Sequence, residues 1–469
     1  MAPRHRIDDA AYPDDLAAAR WFGGGSWRAD TVGSVIERGA AANGDAIAIV
    51  DGSARVSYSE LEIRTAAAAS RMLEEGLQPG DAVLIQVGIG ATAAIGLLAL
   101  MRAGLVPVCA VPRYRSFEMG ALAELSGARG HLIEPGAAGS FDLIALAEDL
   151  REAHPNLEFL FVTGPDAQPR TLALEGSPAH HRELPELTPF DLAAFQLSGG
   201  TTGVPKIIPR FHAEYLGYAD AWAARLEIGR EDVLLWCLPI SHNAGMIGFL
   251  LPALLRQATL VLLPHFEVDS FFAAIERERV TLTGSIGPIA AHLLDVEHPE
   301  RFDLSSMRLF LTLNRAAEIE NHLGVSAMNM FGITEGLLMA SRPSAPADAR
   351  HRTVGNPVCP QDEVVVLAPN EERVVEDGEV GELCFRRPST LTAYYRQPDA
   401  TRDAFTSDRF FRSGDLVRRH DISGETCFSF EGRLKDNIDR GGREVRHGRD
   451  RSAPRSTLRD SGSVRGRDA

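Results

Sequence analysis

From Leu197 to Lys206 the chain reads Leu-Ser-Gly-Gly-Thr-Thr-Gly-Val-Pro-Lys, a run whose residue types suit an anion. Gly199, Gly200 and Gly203 let backbone N–H groups converge, while Ser198, Thr201 and Thr202 add hydroxyl donors. The ammonium of Lys206 then neutralises a terminal phosphate charge. Lysine is otherwise scarce: Lys206 and Lys435 are the two in 469 residues, every other fixed cation being arginine. A lysine offers a compact charge on a flexible stem, which suits a phosphate oxygen or a mobile junction. The run is not a Walker A loop, because Val204 and Pro205 separate Gly203 from Lys206 and no Gly-Lys-Ser/Thr follows. Taken alone, it also reads as a flexible surface loop.

Further along, other groups of suitable chemistry recur. Met330 to Gly336 reads MFGITEG, carrying Phe331, Gly332, Thr334 and Glu335. Glu335 is an oxygen ligand of the kind Mg²⁺ takes, or a plain acid at a helix start. Asp415 follows Gly414, and its two carboxylate oxygens match a vicinal diol; the bland alternative is a turn residue. Arg433 stands near it in the pattern, otherwise a surface charge. His242 and Asn243 fall where an apolar strand gives way to a helix, the usual crevice position of an open α/β sheet. That pair is also a common helix cap.

These groups need a scaffold, and the chain is long enough to supply one. It is 45% hydrophobic and 24% charged, an ordinary globular balance with room for two to four packed units. A net charge of -16 argues against general nucleic-acid binding. Five scattered cysteines without CxxC spacing suit reduced, buried thiols better than a disulfide frame or zinc site. With no apolar signal segment at the N-terminus, a cytoplasmic location is expected. The uncharged stretch from Ala82 to Met101 is long enough to cross a bilayer, but its glycines divide it into a buried strand and a helix, so no membrane role is expected.

One order of elements occurs twice. Asp81–Ile85, an apolar helix and Gly104–Val108 form the first strand, crossover helix, strand unit; Asp232–Trp236, a helix ending near Arg256 and Thr259–Leu263 form the second. Such units generate parallel sheets. The expected fold is α/β: two doubly wound subdomains, at 35–190 and 191–345, and a small β-rich, barrel-like subdomain at 346–432. A segment at 1–34 precedes them. Residues 446–469 hold seven arginines and three aspartates without apolar periodicity, and a disordered basic tail is expected there.

The ordered string LSGGTTGVPKIIPR closely resembles the phosphate-binding motif of the adenylate-forming superfamily. MFGITEG, Arg412-Ser413-Gly414-Asp415 and GRLKDNIDRGGREV at 432–445 are similar to its later landmarks. LPISHN at 238–243 resembles the stand-alone aryl-acid-AMP ligases, which activate 2,3-dihydroxybenzoate or salicylate. The resemblance implies ATP and Mg²⁺ as cofactors and a small aromatic carboxylic acid as substrate. Its thiol acceptor would be the phosphopantetheine of an aryl carrier protein, or CoA. It implies that Ser198 to Gly203 and Lys206 wrap the β and γ phosphates, that Thr334 bonds the α phosphate and that Glu335 holds the metal. Phe331 and Gly332 would lie at adenine, with Phe331 stacking on it; Asp415 and Arg433 would grip the ribose, and Lys435 would mark the hinge at 433–445. His242, Asn243, Gly248 and Leu337 would line the aryl pocket, Leu337 as an apolar wall and Gly248 enlarging or de-functionalising it where relatives often carry Ser or Cys.

Two departures are read from the same comparison. The loop expected before the Thr-Glu motif is short here, Leu311 to Ala316, and its larger side chains are expected to crowd the adenine edge. The family continues past the hinge into a small lid domain, which the residues after Val445 do not resemble. Weak adenylation by this chain is therefore expected, with a non-catalytic adenylate-binding remnant as the alternative.

Overall fold

Continuous apolar runs such as Ala82–Gln86, buried at every position, form strands covered on both faces. The computed structural model describes residues 2–163, 172–174, 183–198, 204–287, 289–386, 388–440 and 443–446. Among these, both expected units are present: Ala82–Gln86 pairs in parallel with Val106–Val108, and Val233–Trp236 with Thr259–Leu262. The stretch from Ala82 divides into that strand and the helix Ala91–Arg102, and no described helix is long and apolar enough to cross a membrane.

The first large sheet runs Leu172–Ala173, Phe159–Val162, Gly130–Ile133, Ala82–Gln86, Val106–Val108, Leu192–Leu197, with Ile207–Phe211 antiparallel at its edge. The second has a parallel core of Ile47–Asp51, Thr259–Leu262, Val233–Trp236, Leu282–Gly284, Leu309–Thr312 and Ala327–Ile333. Antiparallel strands close both of its edges, Ala54–Ser57 on one side and Leu337–Ala340 followed by Asn356–Pro357 on the other. Sheet membership therefore does not change at residue 190. Ile47–Asp51, from the first part of the chain, completes the second sheet, while Leu192–Leu197 and Ile207–Phe211 complete the first.

The physical reason lies in the shared core. Helices Tyr58–Glu74, Ala91–Arg102 and His212–Arg225 fill the space between the two sheets, with Leu61, Ile95 and Trp222 meeting Val83 of one sheet and Leu234 of the other. Strand periodicity sends alternate residues elsewhere. Leu84 and Val108 face outward onto helices Ser116–Ser126 and Leu143–Ala153, whereas Leu235 and Phe310 face Val268–Glu278.

A third sheet, Glu363–Leu367, Val380–Arg386, Phe411–Ile422 and Glu425–Arg433, is antiparallel throughout. Its four strands lie in linear order, and among the described residues no pairing closes them into the expected barrel. Leu383, Phe385 and Phe428 pack against Ile208, Leu337 and Met339, which fixes this sheet beside the edges of the other two. The expected hinge segment contains a short turn, Leu434–Asp436, and a hairpin of Asn437–Arg440 with Arg443–Arg446. Arg446 thus belongs to a strand, and the rest of the expected tail lies outside the described residues.

Candidate active site

At the carboxyl ends of the second sheet's parallel strands lies a cleft of about 150 Å³, a size that holds one benzene-like ring. Its walls come from Trp236, Phe249, Ile247, Leu311, Met330 and Leu338. Trp236 stacks on Phe249 with centroids 4.3 Å apart. Two glycines let the backbone lie close against the leucine walls: a Cβ on Gly332 would come within 2.7 Å of Leu338 Cδ2, and one on Gly284 within 2.9 Å of Leu311 Cβ. The helix entering the cleft is irregular, with Asn243–Gly245 followed by a wide π turn at Met246–Leu250 and then Leu251–Arg256. Single π turns inside helices recur at functional sites. Here the turn carries Gly248, whose carbonyl accepts from Trp222 Nε1 at 3.2 Å.

Polar groups in this cleft are few and specifically arranged. Gln196 Nε2 donates to Tyr215 Oη, and Tyr215 Oη donates to Asn243 Oδ1, each at 2.9 Å. With its oxygen engaged, the buried Asn243 amide has its NH₂ to offer a ligand. His242 caps the helix by accepting from Ala244 N at 3.2 Å through Nδ1, so the cap reading and the pocket position are both realised. Burial, and secondarily the Arg113 charge, holds its imidazole below the ordinary value and therefore neutral near pH 7. Ser285 also lines the cleft, and its buried hydroxyl has no partner among the described residues.

Thr334 belongs to the same cleft and leads to the charged end. The buried Arg210 guanidinium donates to the Thr334 carbonyl, to Ser389 O at 3.0 Å and to Glu214. Beside Thr334, the Glu335 carboxylate accepts from Tyr394 Oη at 2.9 Å. Lys206 Nζ lies 4.5 Å from the centroid of that same Tyr394 ring. Lys206 is placed by a hairpin: Leu197 pairs with Ile207, Ser198 N donates to Lys206 O at 3.0 Å, and Lys206 N donates to Ser198 Oγ at 3.2 Å. Gly199, Gly200, Thr201, Thr202 and Gly203 lie outside the described residues.

Asp415 is nearly buried on the third sheet, opposite Arg433 in register, and the two form an ion pair at 3.2 Å. Gly414 reaches a φ of +70° immediately before it, which glycine adopts without strain. The turn is fixed by Gly414 N donating to Glu382 Oε1 at 3.1 Å and Asp415 N donating to Ser413 Oγ at 3.0 Å. Lys435 is exposed on the short turn that follows.

Two expected contacts are placed differently. Phe331 packs with the core of the third sheet, and the Phe430 ring lies tilted at 6.3 Å from it. Leu337 is fully buried on that same side, and its neighbour Leu338 supplies the cleft wall. Both displacements follow from strand parity, since successive side chains point to opposite faces. In the short loop, Leu311 and Leu313 line the aryl-sized cleft. Tyr394, Arg210 and Ser285 carried no assignment from sequence. Arg210 sits in the IIPR tail of the phosphate run, a signal available for it; Tyr394 lies 59 residues from Glu335, and nothing local marks their meeting.

Comparison with known proteins gives the family and the fold. The AMP-binding enzyme family matches residues 36–395. A 2,3-dihydroxybenzoate-AMP ligase of Bacillus subtilis (strain 168) is 33% identical over 445 residues, covering 92% of this chain and 80% of the relative. A 2-hydroxy-7-methoxy-5-methyl-1-naphthoate–CoA ligase of Streptomyces carzinostaticus is 35% identical over 455 residues, again 92% of this chain and 80% of the relative. Among solved structures, the apo form of Mycobacterium smegmatis MbtA superposes with a TM-score of 0.84 at 30% identity, covering 93% of this chain and 82% of that one. The chain is a member of the AMP-binding, adenylate-forming family of acid-AMP ligases.

Proposed function

We propose that this protein activates a single-ring aryl carboxylic acid, hydroxybenzoate-like, as its aryl adenylate for secondary-metabolite or siderophore assembly. The observation that carries this reading is one continuous cleft: an apolar slot between Trp236, Phe249 and Leu338 leads past Asn243 to Thr334, beside Glu335 and Lys206. The ring enters the slot, and the Asn243 NH₂ donates to an ortho hydroxyl or to the carboxylate. A carboxylate oxygen then attacks the α-phosphorus of ATP, forming one P–O bond as the bond to the pyrophosphate oxygen breaks. No protein nucleophile is required, so positioning and charge neutralisation supply the rate.

Lys206 neutralises the leaving phosphates and Thr334 bonds the α phosphate. Asp415, steadied by Arg433, accepts both ribose hydroxyls. The chain's residues fit a magnesium ion held mainly by the nucleotide. Among the described residues no cluster of three acidic, histidine or cysteine side chains is present, and Glu335 is a lone carboxylate with one oxygen engaged by Tyr394. Bound there, the ion would offset phosphate charge and align the phosphate chain. The thiol acceptor is the phosphopantetheine of an aryl carrier protein; CoA is the second reading, favoured by the naphthoate–CoA relative. Product analysis with each thiol distinguishes them.

Isothermal titration of ATP·Mg²⁺ with a panel of hydroxybenzoates tests the proposal. Wild type is expected to bind both, with Lys206→Ala weakening the nucleotide and sparing the acid. Equal nucleotide retention by wild type and Lys206→Ala overturns the phosphate assignment, and pyrophosphate exchange by the chain refutes the non-catalytic alternative.

A further inference from the structure

We infer that Tyr394 is a positioning residue that keeps the Lys206 ammonium and the Glu335 carboxylate apart, preserving each for its own ligand. The inference rests on the function proposed above and concerns a residue to which that function gives no role. Three segments distant in sequence converge here: the hairpin strand beginning at Ile207, the turn between Ala327–Ile333 and Leu337–Ala340, and the chain following Val380–Arg386. The ammonium stands over the Tyr394 ring at 4.5 Å, and the phenol donates to Glu335 Oε1 at 2.9 Å.

Opposite charges meeting at one polar site would ordinarily pair directly. Among the described residues no ion pair joins Lys206 to Glu335. Tyr394 offers each a substitute partner that a ligand can outcompete or share. A ring face attracts a cation without neutralising it, so the ammonium remains available to a phosphate oxygen. The phenol hydrogen fixes one carboxylate oxygen and leaves the other to a metal ion.

Tyr394 itself is buried, packed with Leu391 and Phe411, so a purely structural role is the competing account. Tyr394→Phe retains the ring and its packing while deleting the hydroxyl. Titrating ATP binding against Mg²⁺ by calorimetry should then show a metal requirement raised roughly tenfold, the scale of one charge-assisted hydrogen bond, with affinity largely recovered at saturating Mg²⁺. Tyr394→Leu removes the spacer as well. It should weaken binding of metal-free tripolyphosphate, and adding Glu335→Gln should restore that binding by removing the competing carboxylate. A merely structural tyrosine predicts neither the metal shift nor the restoration.

An unchanged Mg²⁺ dependence in Tyr394→Phe overturns the inference, even if Tyr394→Leu proves unable to fold. A wild-type chain that fails to bind ATP·Mg²⁺ overturns the proposed function and this inference together. A wild type that binds while Tyr394→Phe matches it sinks the inference alone.

Discussion

The two strand, crossover helix, strand units share a topology, yet their crevices differ. In the first unit, the turn after Ala82–Gln86 is closed by two carboxylates, one just past the neighbouring strand Gly130–Ile133 and one at the end of Ile47–Asp51 in the other sheet: Gly88 N donates to Glu134 Oε2 at 2.8 Å and Ala91 N to Asp51 Oδ2 at 2.9 Å. The helix that follows is buried at all but one position, and the amide at its entrance is already engaged by Asp51. In the second unit, His242 caps its own helix, Gly248 contributes no side chain, and the Ser285 hydroxyl has no partner among the described residues. Topology fixes where a crevice lies. It becomes a site where side-chain volume is withheld and polar groups are left for a ligand.

Refilling the second crevice tests this contrast most strongly. A Cβ on Gly248 has its nearest neighbour, Trp222 Nε1, at 4.0 Å, so a side chain can start there without striking backbone. Gly248→Trp should then occupy the slot and weaken aryl-acid binding at least a hundredfold, about 3 kcal/mol, while ATP·Mg²⁺ binding by calorimetry persists. Equal losses of both ligands would show that the slot and nucleotide end are not separable.

The first unit's sheet offers a test of buried polarity without ligand duty. His131, fully buried beside Leu84, has no partner for either ring nitrogen among the described residues. Burial lowers its pKa to about 3. The folded value lies below the unfolded one, so its stabilising effect is complete above the unfolded value near 6.5 and is lost as pH falls toward 3. At pH 4.5 the loss is roughly 2 to 3 kcal/mol. Denaturation of wild type and His131→Leu at pH 7 and pH 4.5 should show the variant gaining by that amount in the acid. His212, lowered to about 4 by burial with Asp191 opposing, titrates in both proteins and cancels. A pH-independent difference would sink the prediction.

Much of this contrast was legible in the sequence, for identifiable reasons. Both βαβ units showed in apolar runs whose length and interruptions admit few other folds, and Lys206, Asp415 and His242–Asn243, to which the proposed roles fall, stood in contiguous strings. What escaped depends on pairing across distance or on parity. Which sheet Ile47–Asp51 joins is decided by helices packing between two sheets, not by its own residues. Leu337 and Leu338 are equally apolar, and which one faces the slot is set by register with Met330 to Ile333. Phe331 carries the right ring for stacking, and its neighbour Phe430, tilted at 6.3 Å, comes from a strand of another sheet.

Opening the first crevice should cost stability and nothing else. Asp51→Ala frees the amide of Ala91 at a helix start, a change worth about 1 kcal/mol. The melting midpoint should fall while ATP·Mg²⁺ binding stays within the error of wild type. Acquisition of an anion site there would break the contrast, because withdrawing one carboxylate would then suffice to make a crevice functional.

The smallest effect separates volume from chemistry at Gly248. Glycine inside a helical segment costs roughly 0.5 to 1 kcal/mol relative to alanine. The methyl of Gly248→Ala meets its nearest neighbour at an ordinary contact distance of 4.0 Å. If the glycine is retained for the space its missing side chain leaves, the variant should melt slightly higher and bind the preferred aryl acid less tightly, with the largest ring substituents affected most. Higher stability with unchanged affinity across a substituent series would mean that the slot ends short of Gly248. The glycine's place would then follow from the π turn and the Trp222 hydrogen bond, and the substrate would be smaller than the cleft allows.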